Sequence, residues 1–172
     1  MFFAARLLRV ASLCFAGLTL GGSVADAAPL DDVPAAFMVA GRQTIVILHG
    51  VGPQIYVCKA NADGALTWSF REPVATLLDG DKTVGRHYAG PNWDLADGSG
   101  ITGKVAASHA GATGADIPWL ALQVVAHRGE GALNKAALVV RLHTVGGLLE
   151  GACPQAGDMK AVPYAADYLF FS

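Results

Sequence analysis

Residues 84–103, VGRHYAGPNWDLADGSGITG, bring together side chains that could do acid/base chemistry. His87 precedes Asp94 and Asp97, and a histidine oriented by a carboxylate can act as a general acid or base near neutral pH. The alternative is a buried His87 that bonds a backbone carbonyl and fixes the turn that follows it. No nucleophile stands at a recognisable spacing, which favours this structural interpretation. His87 and Asp97 are therefore the candidate catalytic residues, with Asp94 as the alternative partner, and whether the protein is an enzyme stays open.

Three further residues have types that bind ligands. Tyr88 and Trp93 offer faces on which a flat ligand can stack, and an exposed Trp93 in its polar surroundings would indicate a binding surface. Arg141 lies between aliphatic residues in a predicted strand. It either pairs with a carboxylate such as Asp167 or Asp97 or anchors an anion in a pocket, and pairing is expected because an unpaired buried guanidinium is costly. We predict Tyr88, Trp93 and Arg141 as binding residues.

The motifs predict neither a metal site nor a cofactor. The five histidines show no His-x-His or His-x3-His spacing, and the aspartates form no calcium-binding loop. Ser99 lacks the Gly-x-Ser-x-Gly turn of a hydrolase. No Gly-x-Gly-x-x-Gly follows a predicted strand, so a dinucleotide is not expected either.

The first 27 residues have the features of a secretory signal peptide. Arg6 and Arg9 are followed by an apolar run over residues 10–20, and an Ala-x-Ala site ends at Ala27. Cleavage after Ala27 predicts a secreted or periplasmic protein and leaves 145 of the 172 residues. That length suits one domain with a sizeable core.

The charge of the mature chain argues against several classes of partner. It carries 10 basic and 13 acidic side chains, a formal charge of −3, and has no basic run. Nucleic acids and anionic membrane surfaces are therefore not expected as partners. No second long apolar segment follows, so the mature protein is predicted to have no membrane span. The expected partner is a ligand or surface that the sequence does not identify, and the oligomeric state stays open.

Cys58 and Cys153 are the cysteines that remain after cleavage. Two cysteines in an exported domain are expected to form one disulfide, because the destination is oxidising. The bond would close a loop of about 95 residues, with a stabilisation of about 4 to 5 kcal/mol in the chain-entropy model. The alternative is a pair of free thiols.

Glycine and proline divide the chain into short strands. Turns at residues 90–91 and 97–99 flank a brief strand at residues 92–95. A turn at residues 61–64 predicts a hairpin over residues 54–70. The other predicted strands are at residues 44–48, 54–59, 66–71, 73–78, 82–88, 100–107, 117–127, 136–144 and 164–171.

Alternation along these strands predicts which side chains face inward. Trp68 and Phe70 are expected on an inward face. The strand at residues 117–127 is expected to be buried on both faces, because it is the longest apolar run. Arg141 and His143 are expected on one face of their strand.

The pattern predicts an all-β fold. Eight to ten short antiparallel strands with little helix are typical of an antiparallel β-sandwich or a closed β-barrel. Residues 28–43 show no full helical period and are expected to be a partly ordered segment. It leads into a single β domain at residues 44–172.

Several phrases of the sequence point to a family: GPQIYVCKA at 52–60, VGRHYAGPNWDLADGSGITG at 84–103, IPWLALQV at 117–124, RLHTVGG at 141–147 and VPYAADYLFF at 162–171. Together they resemble the secreted bacterial and fungal family known as domain of unknown function 3455. The resemblance implies no established activity or site residue. Pro53 stands where the family pattern prefers an aliphatic residue. His143 replaces a small polar residue and so is a poor candidate for a function shared by the family.

Three functions are compatible with these observations. The first is an exported, disulfide-linked β domain that binds a ligand or a surface. The second is a small exported enzyme that uses His87 with Asp97 or Asp94. The third is a structural or interaction protein of the cell envelope, for which residues 84–103 are only a corner of the fold.

Overall fold

The computed structural model describes residues 33–172, and the signal peptide predicted at residues 1–27 lies outside this range. The described helical elements are short 3-10 helices at Ala35–Phe37 and Ala132–Lys135. The described strands are β1 (Thr44–Ala60), β2 (Leu66–Pro73), β3 (Ala75–Asp79), β4 (Lys82–Tyr88), β5 (Asn92–Leu95), β6 (Gly100–His109), β7 (Trp119–Arg128), β8 (Leu138–Gly146) and β9 (Met159–Phe171). None of the helices in this part of the chain has the length and apolar character needed to cross a membrane.

These strands form one antiparallel sheet that closes on itself. Neighbours pair in the order β2-β1-β3-β4-β5-β6-β7-β8-β9, and β1 also pairs with β9. Along one edge β1 pairs with β9, from Thr44 opposite Phe171 to Val57 opposite Met159. Its other edge pairs first with β3 and then with β2. The predicted all-β antiparallel fold is confirmed, and its closure makes it a barrel.

β1 is one long strand where the sequence predicts two, at residues 44–48 and 54–59. The glycines between the two runs stay in the ladder instead of turning the chain. A Cβ at Gly50 would lie 2.5 Å from the ring of Tyr168, so this glycine makes room for an aromatic side chain on the neighbouring strand. The glycine signal therefore marks close packing at this position, not a turn.

The hairpin predicted over residues 54–70 is confirmed, but the burial predicted for β2 is not. Lys59 pairs with Thr67 and Ala60 with Leu66 across the hairpin. Phe70, expected on an inward face, is 53% exposed. The reason is that β2 is the last strand in the sheet order: β1 is its strand neighbour on one edge, and the other edge pairs only at Thr67 with Ala152 of the connection between β8 and β9.

The register of β7 and β8 corrects two further predictions. β7 pairs with β8 only as far as Gln123, so the second half of β7 is not buried on both faces, and Val125 is exposed. In β8 the register with β9 shifts between Leu142 and Val145. His143 in this bulge has a φ of 48° and bonds Asp167, so it does not share the inward face of Arg141.

Alternate residues of the strands fill the barrel interior and cover its outer face. Val139 and Phe170 belong to the interior cluster, whereas their neighbours Val140 and Leu169 belong to a second cluster on the outer face. Phe37, from the segment that precedes β1, is buried in this outer cluster. Burial of one such side chain stabilises the fold by about 1.5 to 3 kcal/mol.

The interior is filled at one end of the barrel, which we call the closed end. Leu133, from the 3-10 helix between β7 and β8, is fully buried there and donates its backbone N–H to Oγ of Ser99, the residue before β6. The opposite end, where β4 leads into β5 and β8 leads into β9, we call the open end.

Candidate functional site

A cavity of about 640 Å³ occupies the open end of the barrel. Most of its wall is aromatic or aliphatic, with Tyr56, Trp68, Phe70, Trp93, Leu120 and Leu122 as the main contributors. Its polar wall residues are Gln54, His87, Arg141 and Tyr168, with Arg71 and Glu150 exposed at the rim. Apolar walls with a few convergent polar groups are typical of small-molecule sites.

The connection between β8 and β9 forms one wall of this cavity. Tyr56 Oη donates a hydrogen bond to the carbonyl of Gly147 at 2.7 Å and accepts one from the N–H of Leu149 at 3.3 Å. Leu149 itself lines the cavity. Tyr56 therefore fixes this connection against β1.

A disulfide also attaches the connection between β8 and β9 to β1. Cys58 of β1 is bonded to Cys153, with 5.7 Å between their Cα atoms, and both residues are buried. The structure thus contains the predicted disulfide. Because disulfides persist in oxidising compartments, it indicates an oxidising environment for this protein.

His87 lies in the inner wall and is 3% exposed. Its Nδ1 bonds the carbonyl of Asn92 at 2.9 Å, so this nitrogen carries the proton, and its ring stacks on Trp93 with 4.5 Å between centroids. Burial lowers the pKa of His87 to about 3; the hydrogen bond to Asn92 opposes this shift, and the positive charge of Arg141 adds to it. His87 is therefore neutral at physiological pH.

His87 of β4 pairs with Trp93 of β5, and the two side chains share one face of the sheet. Because side chains alternate along β5, Asp94 lies on the opposite face. It accepts hydrogen bonds from Arg86 at 3.0 Å, Arg128 at 2.7 Å and Tyr88 Oη at 2.9 Å. Burial raises its pKa, but hydrogen bonds from Arg128, Arg86 and Tyr88 outweigh burial and hold the pKa below its usual value. Asp94 is thus an ionised member of an outer-face network.

Asp97 lies in the turn after β5, toward the closed end. It accepts hydrogen bonds from the N–H of Ala132 at 2.7 Å, and from the hydroxyl and N–H of Ser99 at 2.7 and 2.9 Å. The N–H of Ala132 and then the two donors of Ser99 lower its pKa. Asp97 therefore caps this turn, and the structure does not bring it to His87.

Of the predicted binding residues, the structure brings Trp93 and Arg141 to the cavity, but not Tyr88. Tyr88 belongs to the outer-face network, where the guanidinium of Arg86 lies 4.8 Å from the centre of its ring. Trp93 is 1% exposed, so it is not the exposed tryptophan that would mark a binding surface. It contributes to the cavity from within the barrel wall.

Arg141 does not pair with a carboxylate, which corrects the arrangement expected from the sequence. Its Nε and Nη2 donate to the carbonyl of Pro118 at 3.1 and 2.7 Å. Asp167 bonds Nδ1 of His49 at 2.8 Å and Nδ1 of His143 at 2.9 Å. The reason is again alternation, since Asp167 lies on the outer face of β9 whereas its neighbour Tyr168 faces inward.

Two buried donors beside the cavity have no acceptor in hydrogen-bond geometry among the described residues, although the side chain of Gln54 lies beside the hydroxyl of Tyr164. They are Nε2 of Gln54 and Nε1 of Trp93, and both residues line the cavity with 1% of their surface exposed. A buried donor without an acceptor costs about 1 to 3 kcal/mol, so such atoms are expected to bind water or a ligand. Sequence reasoning missed Gln54, although a glutamine within an otherwise apolar strand was the available signal.

Within residues 33–172, no group of three or more His, Cys, Asp or Glu side chains is placed to hold a metal ion. A second recess, lined by Arg86, Asp94 and Arg128, lies on the outer face. Its charged side chains already bond one another. The cavity at the open end is therefore the candidate functional site.

Comparison with known proteins identifies the family but not an activity. A family model described as "Protein of unknown function (DUF3455)" matches residues 39–172. The chain belongs to this family, and the resemblance seen in the sequence is confirmed. Searches of curated proteins and of solved structures found no match.

Proposed function

We propose that this member of the DUF3455 family binds a small, mainly apolar ligand in the cavity at the open end of its barrel. The cavity is the observation that carries the proposal. Its volume of about 640 Å³ lies within the range of about 300 to 1,000 Å³ typical of small-molecule sites. Its wall is built by strands and a disulfide-linked connection, so the site is formed before a ligand binds.

The aromatic side of the cavity supports an apolar ligand. Phe70 is half-exposed at the rim and contacts Tyr56 edge to face, with 5.8 Å between ring centroids. Trp68 lies on the same face of β2 and also lines the cavity. A ligand that covers these rings removes apolar surface from water, which favours binding.

His87 serves this function by supporting the wall. It is neutral, its Nδ1 bonds a backbone carbonyl, and its ring stacks on that of Trp93. No observation favours acid/base catalysis by His87 with Asp94 or Asp97, since both carboxylates have other partners.

The proposal includes export of the protein. The signal peptide expected at residues 1–27 directs it to the periplasm or out of the cell, where the disulfide forms. N-terminal sequencing of the mature protein, expressed with its full N-terminus, should begin at Ala28. A mature protein that retained residues 1–27 would contradict export by cleavage.

Binding can be tested with a matched pair of valines. Val105 of β6 lines the cavity and is 51% exposed, whereas Val125 of β7 is 58% exposed and lies outside the cavity. The probe is N-phenyl-1-naphthylamine, an uncharged aromatic compound that fluoresces in apolar sites. We expect the wild type to bind it with a Kd in the micromolar range.

The two variants separate the cavity from the general surface. Val105→Trp places an indole at the rim and should weaken probe binding about tenfold, whereas Val125→Trp should leave it unchanged. Equal effects of the two variants, or no probe binding by the wild type at saturating concentration, would overturn the proposal. Thermal unfolding of both variants checks that the barrel is intact.

A further inference from the structure

We propose that the ligand is a monocarboxylate with an aromatic or branched aliphatic body, and that Arg141 binds its carboxylate group. This inference rests on the proposed function and adds the chemical class of the ligand. It follows from the polar atoms of the cavity wall, which can be considered one group at a time.

Arg141 presents an oriented and un-neutralised guanidinium to the cavity. Two of its five N–H donors bond the carbonyl of Pro118, which holds the planar group in one orientation, and the guanidinium also lies beside the hydroxyl of Tyr168 on the paired strand. None of the ion pairs among the described residues includes Arg141. A carboxylate matches the remaining donors in geometry and neutralises the charge, as a neutral or cationic group cannot.

Two more unpaired polar atoms of the wall are donors, while the unprotonated Nε2 of His87 is an acceptor. Nε2 of Gln54 and Nε1 of Trp93 lack acceptors within the described part of the chain. The hydroxyl of Tyr168 in the wall bonds that of Tyr164, which lies outside the cavity lining, at 3.0 Å, so one of the two O–H groups donates to the other; the side chain of Gln54 also lies beside Tyr164. A wall with a surplus of donors selects a ligand rich in acceptors, and a carboxylate has about four acceptor positions.

The charges around the cavity favour an anion at its inner end. His87 is the other basic group of the inner wall and is neutral. Arg71 and Glu150 are exposed at the rim, where Arg71 pairs with Glu72 at 3.0 Å. Water screens the rim charges, whereas Arg141 acts from a partly buried position. The carboxylate of the ligand therefore points inward and its apolar body lies toward Trp68 and Phe70.

The test compares an acid with its uncharged analogue. Naphthalene-2-carboxylate and 2-naphthamide share one ring system and differ in the charge of the head group. In calorimetric titrations at pH 7, we expect the acid to bind the wild type about 10- to 100-fold more tightly, as a charge-assisted bidentate contact implies.

Variants of Arg141 assign the preference to this residue. Arg141→Met should remove the preference for the acid while the amide binds as before, and Arg141→Lys should retain part of it, because the charge stays but the planar fork is lost. Arg86→Met, on the outer face and away from the cavity, is the matched control and should change the preference less than about threefold. If Arg141→Met does not fold, the wild-type preference and Arg141→Lys still decide the question.

The outcomes distinguish this inference from the proposed function. Equal binding of acid and amide by the wild type, or an acid preference that persists in a folded Arg141→Met variant, overturns the assignment of a carboxylate and leaves apolar binding in place. If the acid, the amide and N-phenyl-1-naphthylamine all fail to bind, the proposed function fails and this inference with it.

Discussion

The two ends of the barrel are built from the same strands but have opposite interiors. At the closed end the interior is filled by Leu48, Leu77, Ile101 and Phe170, and the connection between β7 and β8 adds Leu133 to this cluster. At the open end the connection between β8 and β9 lies along the wall, where Tyr56 and the disulfide hold it. The connection between β7 and β8 therefore fills the interior at the closed end, whereas the connection between β8 and β9 borders a cavity at the open end.

The difference shows that the strands do not by themselves determine whether the barrel is a packed core or a container. Inward-facing side chains at both ends are large and mostly apolar. What differs is how far the connecting segments fill the space between them. Leu133 is fully buried at the closed end, whereas Ile117 and Leu148, from connections at the open end, pack against the same cluster but leave a cavity beside them. The following predictions test this contrast, from the largest expected effect to the smallest.

Removal of the disulfide should affect the open end most. The double variant Cys58→Ser, Cys153→Ser frees a loop with a sequence separation of 95 residues. It should lower the free energy of unfolding by about 4 kcal/mol, measured by urea denaturation. Amide exchange should accelerate between β8 and β9 while the N–H of Leu133 stays protected. Unchanged probe binding in this variant would show that the disulfide is not needed to form the cavity.

Truncation of a leucine should cost more at the closed end than at the open end. Leu133→Ala removes a fully buried side chain and should lower the free energy of unfolding by about 3 kcal/mol. Leu120→Ala, in the cavity wall, should cost about 1 kcal/mol, because Leu120 already borders empty space and has fewer contacts to lose. Equal losses would mean that the open end is packed in solution.

Acid should destabilise the inner wall through His87. The folded-state pKa of about 3 lies below the unfolded value of 6.5, so the unfolded chain binds a proton first as the pH falls. The stability that His87 contributes is thus present above pH 6.5 and lost as the pH falls toward 3. Between pH 7 and pH 5 this loss is about 2 kcal/mol.

The contribution of His87 is isolated by difference. His87→Asn keeps a side-chain N–H for the carbonyl of Asn92 but does not titrate. Its unfolding free energy should therefore fall about 2 kcal/mol less than that of the wild type between these pH values. Parallel pH profiles of the two proteins would show that His87 is solvated and titrates normally.

Gln54→Leu should have the smallest effect on stability and should separate stability from binding. The amide of Gln54 leaves one buried donor unpaired, so an apolar side chain of similar size should change the free energy of unfolding by less than about 1 kcal/mol, or increase it. Binding of naphthalene-2-carboxylate should weaken severalfold in the same variant. A loss of several kcal/mol would instead reveal that Nε2 of Gln54 already has a partner in the free protein.

Much of the local structure was predictable because it depends on residues close together in sequence. The strand at residues 92–95 and the turns beside it follow from glycine and proline, and Asp97 caps the turn with Ser99. The alternation that placed Trp68 and Phe70 on one face was correct, although it did not reveal that this face lines a cavity. These features need no knowledge of distant strands.

The composition of the site could not be predicted in the same way. His87, Asp94 and Asp97 are close in sequence, but alternation sends Asp94 to the outer face and a four-residue strand carries Asp97 toward the closed end. Gln54 and Arg141 are distant in sequence and line the same cavity only because β1 and β8 both pair with β9. Proximity in sequence is thus a poor guide to proximity in a barrel.

By itself the sequence determined the all-β class, the hairpin, the cysteine pair and the family, because strand pattern, turn residues and residue identity are local properties of the chain. Only the tertiary structure decided that the sheet closes, that Arg141 lacks a carboxylate and that one end stays open. The physical reason is that these properties depend on register across strands and on how far the connections fill the interior. Both are set by packing energies summed over the whole barrel, not by the propensities of any one segment.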